Sequence, residues 1–296
     1  MDYPDHWLET KADYDRNGFV FIADILSKKN SERLLVEVLE LGRGNRVALF
    51  GTAQLPDNLD DLVVLSRYLN IQFSHKISAL VHYDLFTHPA IAKVLSLLIG
   101  PSVRCMQSML FIKSSGKPSQ AWHQDKHFIP TPDCSLAGVW LASDDSTREN
   151  GCLWVRPGIH TDDVIYYTSP HVSTNFESGN QLIGTRDDAD MGTPIQVKGG
   201  AAIIFNGYLR QRILSNRAMQ GPFCRASVNH CMSANLMSPW DWDGRIPPTR
   251  DVRDIAMICG NDPQSPKGVD DITYAFLCAA TAELYYPNHD ATKKIF

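Results

Sequence analysis

From residue 102 onward the chain carries six short runs of β-forming residues with turn signals between them. The runs are Val103–Lys113, Leu136–Ala142, Cys152–Val155, Ile195–Val197, Ala201–Phe205 and Ala226–Met232. Ser114-Ser115-Gly116, Glu149-Asn150-Gly151, Arg156-Pro157-Gly158 and Lys198-Gly199-Gly200 punctuate them, each a local reversal of the chain. Strands that succeed one another without crossover helices pair antiparallel, and many short ones close into a sandwich or jelly roll.

The first hundred residues read differently. Gly18–Ile22 is a short strand following the turn Asp15-Arg16-Asn17. Ser27 or Ser31 caps a helix whose Leu34, Leu35, Val38, Leu39 and Leu41 form one stripe. A second helix has Thr87 as its cap and Pro89 in its first turn. Ile91, Val94, Leu95 and Leu98 give its helical spacing, and Gly100-Pro101 stops it. The expected organisation is one domain over 1–296: a mainly helical layer at 28–100, a β core at 102–235 and a tail at 236–296. Residues 168–194, which include the acidic Arg186-Asp187-Asp188-Ala189-Asp190, read as a long loop, of the kind that is a lid or is partly disordered. The tail after Trp240 is rich in Pro and Asp and ends in the apolar Tyr274–Leu277 and a short helix.

Composition narrows the function classes. Lys and Arg number 28 against 33 Asp and Glu, a formal charge of −5, which argues against a strong electrostatic grip on nucleic acid. No run of eighteen apolar residues exists, so no membrane span is expected. The acidic start MDYPDHWLETKADYD lacks the basic and apolar regions of a signal peptide. Seven cysteines without a CxxC pair suit reduced thiols, so the expected location is cytoplasmic.

Chemistry concentrates at His123-Gln124-Asp125. A His and a carboxylate two residues apart on an extended strand point to the same face, as do two ligands of the facial triad in non-heme Fe(II) oxygenases. The spacing alone is weak, since His160-Thr161-Asp162 repeats it. The surroundings separate the two pairs. Gln120-Ala121-Trp122-His123-Gln124-Asp125 is followed by Gly138–Thr147 and then by Glu149-Asn150-Gly151-Cys152-Leu153-Trp154-Val155-Arg156-Pro157-Gly158-Ile159-His160. Later come Gly199–Gly207 and Arg225-Ala226-Ser227-Val228-Asn229-His230. This ordered series, beginning near Asn17-Gly18-Phe19, resembles the phytanoyl-CoA dioxygenase family of Fe(II)/2-oxoglutarate oxygenases. Within it, the series is closest to the subgroup that includes fungal meroterpenoid-tailoring enzymes.

The resemblance implies a mainly β fold, a double-stranded β-helix (a cupin-like jelly roll) with flanking α-helices. It implies Fe(II) and 2-oxoglutarate as cofactors, His123 and Asp125 as the first two metal ligands, and Gln120 and Thr147 near 2-oxoglutarate. Thr147 has an equal reading as a turn hydroxyl in Asp-Ser-Thr. His160 falls on a family turn histidine that is not a ligand.

Two positions depart from the family pattern. Where it reads Gly-Tyr-Leu-x-His-Arg, this chain has Gly207-Tyr208-Leu209-Arg210-Gln211-Arg212, so Gln211 stands at the third ligand. A carboxamide oxygen is a neutral, weaker donor than imidazole. The arginine that holds the cosubstrate carboxylate is replaced by Cys224, and Arg225 is one residue out of phase unless a bulge in the 217–222 connection turns it inward. Three readings follow. The first is a catalytically degenerate subunit of a secondary-metabolite (terpenoid-like) oxygenase, paired with an active paralogue as a heterodimer, or a homodimer. The second is an active dioxygenase with a His123-Asp125-Gln211 site and Arg225 or another cation holding the acid. The third is a non-catalytic cupin-like protein binding a small hydrophobic ligand.

Other positions keep two readings each. His127 and Phe128 line the pocket or pack under a loop. Trp140 and Trp154 read as core more readily than as a substrate platform. Ile71-Gln72-Phe73-Ser74-His75-Lys76 reaches the pocket mouth or forms a solvated loop. The 168–194 loop and Ser238-Pro239-Trp240-Asp241-Trp242 are the candidate partner contacts.

Overall fold

The computed structural model of the chain describes residues 5–45, 55–117, 119–129, 131–170, 180–182, 192–218, 223–236, 256–267 and 275–279. Strands β1 (Phe19–Ile22), β2 (Tyr68–Gln72), β3 (Val103–Lys113), β5 (Ala137–Ala142), β10 (Ala202–Asn206), β12 (Cys224–Ser233), β13 (Ala256–Cys259) and β14 (Phe276–Ala279) make one large sheet. Its order is β1-β10-β5-β12-β3-β2-β14, with β13 also pairing β3. A second sheet runs β4 (Gln120–His123), β11 (Gln211–Ile213), β6 (Leu153–Val155), β9 (Thr193–Ile195). Every pairing in the two sheets is antiparallel, as the turn-divided runs predict.

The inner faces of the sheets share one apolar cluster. Trp140, Ile203, Phe205 and Val228 come from the large sheet, and Leu153, Val155 and Ile195 from the small one. The outer face of the large sheet packs on helices. Helix α2 (Lys28–Arg43) contributes Leu34, Val38 and Leu41, and α4 (Pro89–Leu98) contributes Ile91, Val94 and Leu95, against Leu110, Ile112, Val139 and Ile204. Ser27 caps α2, its side chain accepting from Asn30 N at 3.2 Å, and Gly44 ends it at φ +80°.

The structure corrects several local expectations. His88, not Thr87, caps α4, its ring accepting from Ala90 N. Helix α1 (Asp5–Asn17) was not anticipated, and α3 (Asp61–Ser66) adds a short turn. Residues 71–76 are no solvated loop: Ile71, Ser74 and His75 are buried, and Ile71-Gln72 ends β2. The long 168–194 segment contains the hairpin of β7 (Thr168–Pro170) with β8 (Asn180–Leu182), then β9. Strand β9 is Thr193–Ile195, and Val197 forms only an isolated bridge to Ser146. The tail supplies β13 and β14. Ser238–Trp242 and the acidic run 186–190 lie outside the described residues. Among those described, no helix is long and apolar enough to cross a membrane.

Candidate metal and cosubstrate site

Strand β4 ends at His123, Gln124 stays extended, and the short helix α5 (Asp125–Phe128) begins at Asp125. Gln124 fixes this corner. Its amide nitrogen donates to Val164 O at 2.9 Å and Tyr208 O at 2.7 Å, and its oxygen accepts from Tyr166 N at 2.9 Å. His123 Nδ1 donates to Ala121 O at 2.8 Å, and Nε2 lies 3.6 Å from Asp125 Oδ1.

Asp125 is buried and both of its oxygens are engaged. Gln211 Nε2 donates to Oδ1 at 2.8 Å, and His230 Nε2 lies 3.0 Å from Oδ2. Burial alone would raise the carboxyl pKa. The charge and hydrogen bond of His230, then His123 and Gln211, outweigh it and hold the pKa below its ordinary value. His230 Nδ1 has no hydrogen-bond partner among the described residues. Gln211 stands directly opposite His123 on β4 and Val155 on β6.

The position where the resemblance expects the cosubstrate arginine lies further along β12. Cys224 pairs with Lys113 across the sheet, on the inner face shared with Ala226 and Val228. Burial raises the thiol pKa, and Sγ lies 3.7 Å from Ser146 Oγ and 3.9 Å from Gly151 O. The pairing runs without interruption from Cys224 to His230, so Arg225 faces the other way. Its guanidinium grips Asp144, Nε to Oδ2 at 2.7 Å and Nη2 to Oδ1 at 2.5 Å, beneath α2. An inward Arg225 is therefore corrected to an outward one. The bulge on this strand comes later, after His230.

Over residues 14–210 the sequence matches the family described as phytanoyl-CoA dioxygenase (PhyH), a span that contains His123 and Asp125. The chain belongs to the phytanoyl-CoA dioxygenase family. It is 29% identical over 187 residues to the peroxisomal phytanoyl-CoA dioxygenase of Bos taurus, covering 60% of this chain and 53% of that protein. Against the phytanoyl-CoA dioxygenase domain-containing protein 1 of Danio rerio it is 34% identical over 123 residues, covering 40% and 41%. The matches to these two relatives thus span about half of their length or less.

Among solved structures, apo ThoJ, a non-heme monooxygenase, aligns at TM-score 0.61 and 19% identity, covering 86% of this chain and 84% of that one. The epimerase SnoN, solved with Fe3+, alpha ketoglutarate and nogalamycin RO, aligns at TM-score 0.61 and 18% identity, covering 88% and 98%. At those identities the likeness establishes the fold, the jelly roll of the Fe(II)/2-oxoglutarate oxygenases.

Phytanoyl-CoA dioxygenase chemistry is of the Fe(II)/2-oxoglutarate type, and the residues present here do not fit that pair of groups. Among the described residues no three His, Cys, Asp or Glu side chains are arranged to hold a metal ion. The third position carries an amide whose nitrogen is turned to Asp125, and the carboxylate that should ligate already accepts two hydrogen bonds. At residue 224, where the resemblance expects a guanidinium, stands a thiol that burial keeps neutral.

The remaining sequence-stated residues fall as follows. Ala121 and Trp122 of β4 stand opposite the single Arg212 of β11, a bulge that puts Gln120 opposite Ile213 on the inner side. Thr147 closes a turn, its N–H donating to Asn150 Oδ1 at 2.8 Å and its hydroxyl accepting from Asn150 N. His160 is buried against Gly18, where a Cβ would come within 2.7 Å of Nδ1. Phe128 is exposed, its ring centroid 6.1 Å from that of His123, and His127 meets Thr168. Trp140 belongs to the inner core, whereas Trp154 lies under Arg148 and Arg212 on the outer face of the small sheet. Gln124, His230 and Lys113 were not singled out from sequence. The signal for the last two was a polar residue in phase with the inner-facing apolar positions of its strand.

Proposed function

We propose that this chain is a catalytically degenerate phytanoyl-CoA dioxygenase family member that serves as a subunit beside an active paralogue in the oxidation of a terpenoid-like secondary metabolite. One observation carries the reading: the Gln211 amide donates to Asp125 where a third ligand should meet the metal. The neutral Cys224 thiol supports it independently. An isolated His-Asp dyad holds Fe(II) weakly, because each lost ligand in such a site lowers affinity severalfold to many-fold. Natural-product enzymes among the similar structures, including an epimerase from nogalamycin biosynthesis, support the choice of secondary metabolism.

The test is anaerobic loading of the purified chain with Fe(II), followed by elemental analysis and assay of succinate from 2-oxoglutarate. The reading expects substoichiometric iron and no succinate. Gln211→His with Cys224→Arg is expected to raise both metal and cosubstrate binding. Co-expression with a triad-complete paralogue should give a heterodimer on size exclusion whose activity survives His123→Ala here but not the same change in the paralogue. One iron per chain with succinate formation overturns the reading in favour of an active His-Asp-Gln site.

A further inference from the structure

Three of the seven cysteines meet on the helical face of the large sheet. Cys105 on β3 stands directly opposite Cys231 on β12. On the other side of β3, β13 places Cys259 opposite Val103, two residues from Cys105 on the same face. All three belong to the apolar layer that contains Ile91, Val94 and Leu95 of α4, and Cys259 Sγ lies 3.7 Å from Ala92 O. Cys105 is 2% exposed and Cys231 1%, while Cys259 keeps partial exposure.

The register favours one pair of the three. Direct antiparallel partners hold their Cβ atoms about 4.5–5.5 Å apart and diagonal neighbours about 7–8 Å, against the roughly 3.5–4.5 Å of a disulfide. Cys105 and Cys231 are direct partners, whereas Cys259 is diagonal to Cys105. The first two thiols also touch. Cys105 donates to Gln107 O at 3.2 Å, which leaves its sulfur to accept the hydrogen of Cys231. A bulge adjoins them: Met106 is the extra residue between Gln107, opposite His230, and Cys105. The bulged backbone gives the small closure that a bond requires.

We propose that Cys105 and Cys231 form a redox couple, which hydrogen peroxide closes to a disulfide that locks β3 to β12 beside His230. One sulfur takes an oxygen from the peroxide, whose O–O bond breaks, giving a sulfenic acid and one water. The other sulfur attacks it; the S–S bond forms, the S–O bond breaks and a second water leaves. Two electrons pass from the sulfurs to the peroxide, and both thiol hydrogens end in water. Contact with Cys105, then burial, holds the Cys231 pKa well above its ordinary value, so the couple closes under sustained rather than brief oxidation.

The test uses the full chain carrying Cys134→Ser, which removes the exposed thiol. It is treated with hydrogen peroxide at about pH 8.5, near the ordinary thiol pKa, then denatured, alkylated and mapped by mass spectrometry. A linked pair of peptides carrying Cys105 and Cys231 is expected, reversed by dithiothreitol. The urea midpoint of the oxidised chain should exceed that of the reduced one, because the bond closes a long loop. Cys105→Ala and Cys231→Ala should each remove both effects, and Cys259→Ala should leave both. Mapping requires neither alanine variant, so it decides the matter even if one fails to fold. Linkage through any other cysteine, sulfinic acid without a disulfide, or an oxidised midpoint no higher than the reduced one overturns the proposal.

Discussion

Gly138 lies flat against the ring of Phe205, so closely that a methyl group at 138 would overlap it. The two are direct cross-strand partners on β5 and β10, and Gly138 also faces His230 on its other side. The missing side chain therefore lets one aromatic ring fill the inner core beside the His230–Asp125 contact. Gly138→Ala is expected to destabilise the protein by about 1–3 kcal/mol, the usual effect of overpacking. Urea denaturation reads it; a midpoint equal to wild type would show that the ring moves aside freely.

His230 supports a buried carboxylate. Its removal as His230→Leu should lower stability by about 2–3 kcal/mol, the loss of a hydrogen bond to a charged group. In an Asp125→Asn background the same change should matter less, because no charge is left to strand. If the two substitutions prove additive in a double-mutant cycle, the contact contributes nothing specific.

Arg225 and Asp144 form a two-pronged pair whose side chains are each only 15% exposed. Arg225→Met should reduce stability by about 1–2 kcal/mol, between the values for exposed and buried pairs. Urea denaturation reads it, and a midpoint equal to wild type would show that the pair under α2 contributes nothing to stability.

Burial holds the His160 pKa below its ordinary value near 6.5, against the opposing pull of Asp15, Asp163 and Asp162. As pH falls below about 6.5 the unfolded chain takes up a proton that folded His160 resists, so stability falls with pH. Urea midpoints at about pH 7.5 and 5.5 should differ more for wild type than for His160→Gln. Parallel shifts in the two proteins would mean that His160 titrates alike in both states.

Much of this architecture was legible. The run Val103–Lys113 coincides with β3, and the leucine stripe with its Ser27 cap is α2, because strong periodicity and a capping side chain act locally. Helix α1 was not legible: Tyr14 is its one buried apolar side chain among those described, which leaves no stripe to read. Strand β2 was hidden for a different reason. Asn70 and Gln72 are polar yet sit on the inner face with Phe111 and Met109, where Gln72 donates to Asn70 Oδ1 and accepts from Gln107, so mixed polarity mimicked a loop. In the site, His123, Asp125 and the positions of Gln211 and Cys224 were reached through the ordered motifs of the family resemblance, since the His-x-Asp spacing alone also fits His160-Thr161-Asp162. The roles of Gln124 and His230 depend on carbonyls and carboxylates more than 40 residues away along the chain, a separation that no local pattern encodes.

Gln211 occupies its position without disturbing the strand: it still pairs with His123 on one side and Val155 on the other. Backbone and neighbours are already in place for a histidine, so the distance from this site to a complete triad is set by the genetic code rather than by the fold. Glutamine and histidine codons differ in the last base alone, and a cysteine codon becomes an arginine codon by a change in the first. Two point mutations would therefore place both groups on this backbone.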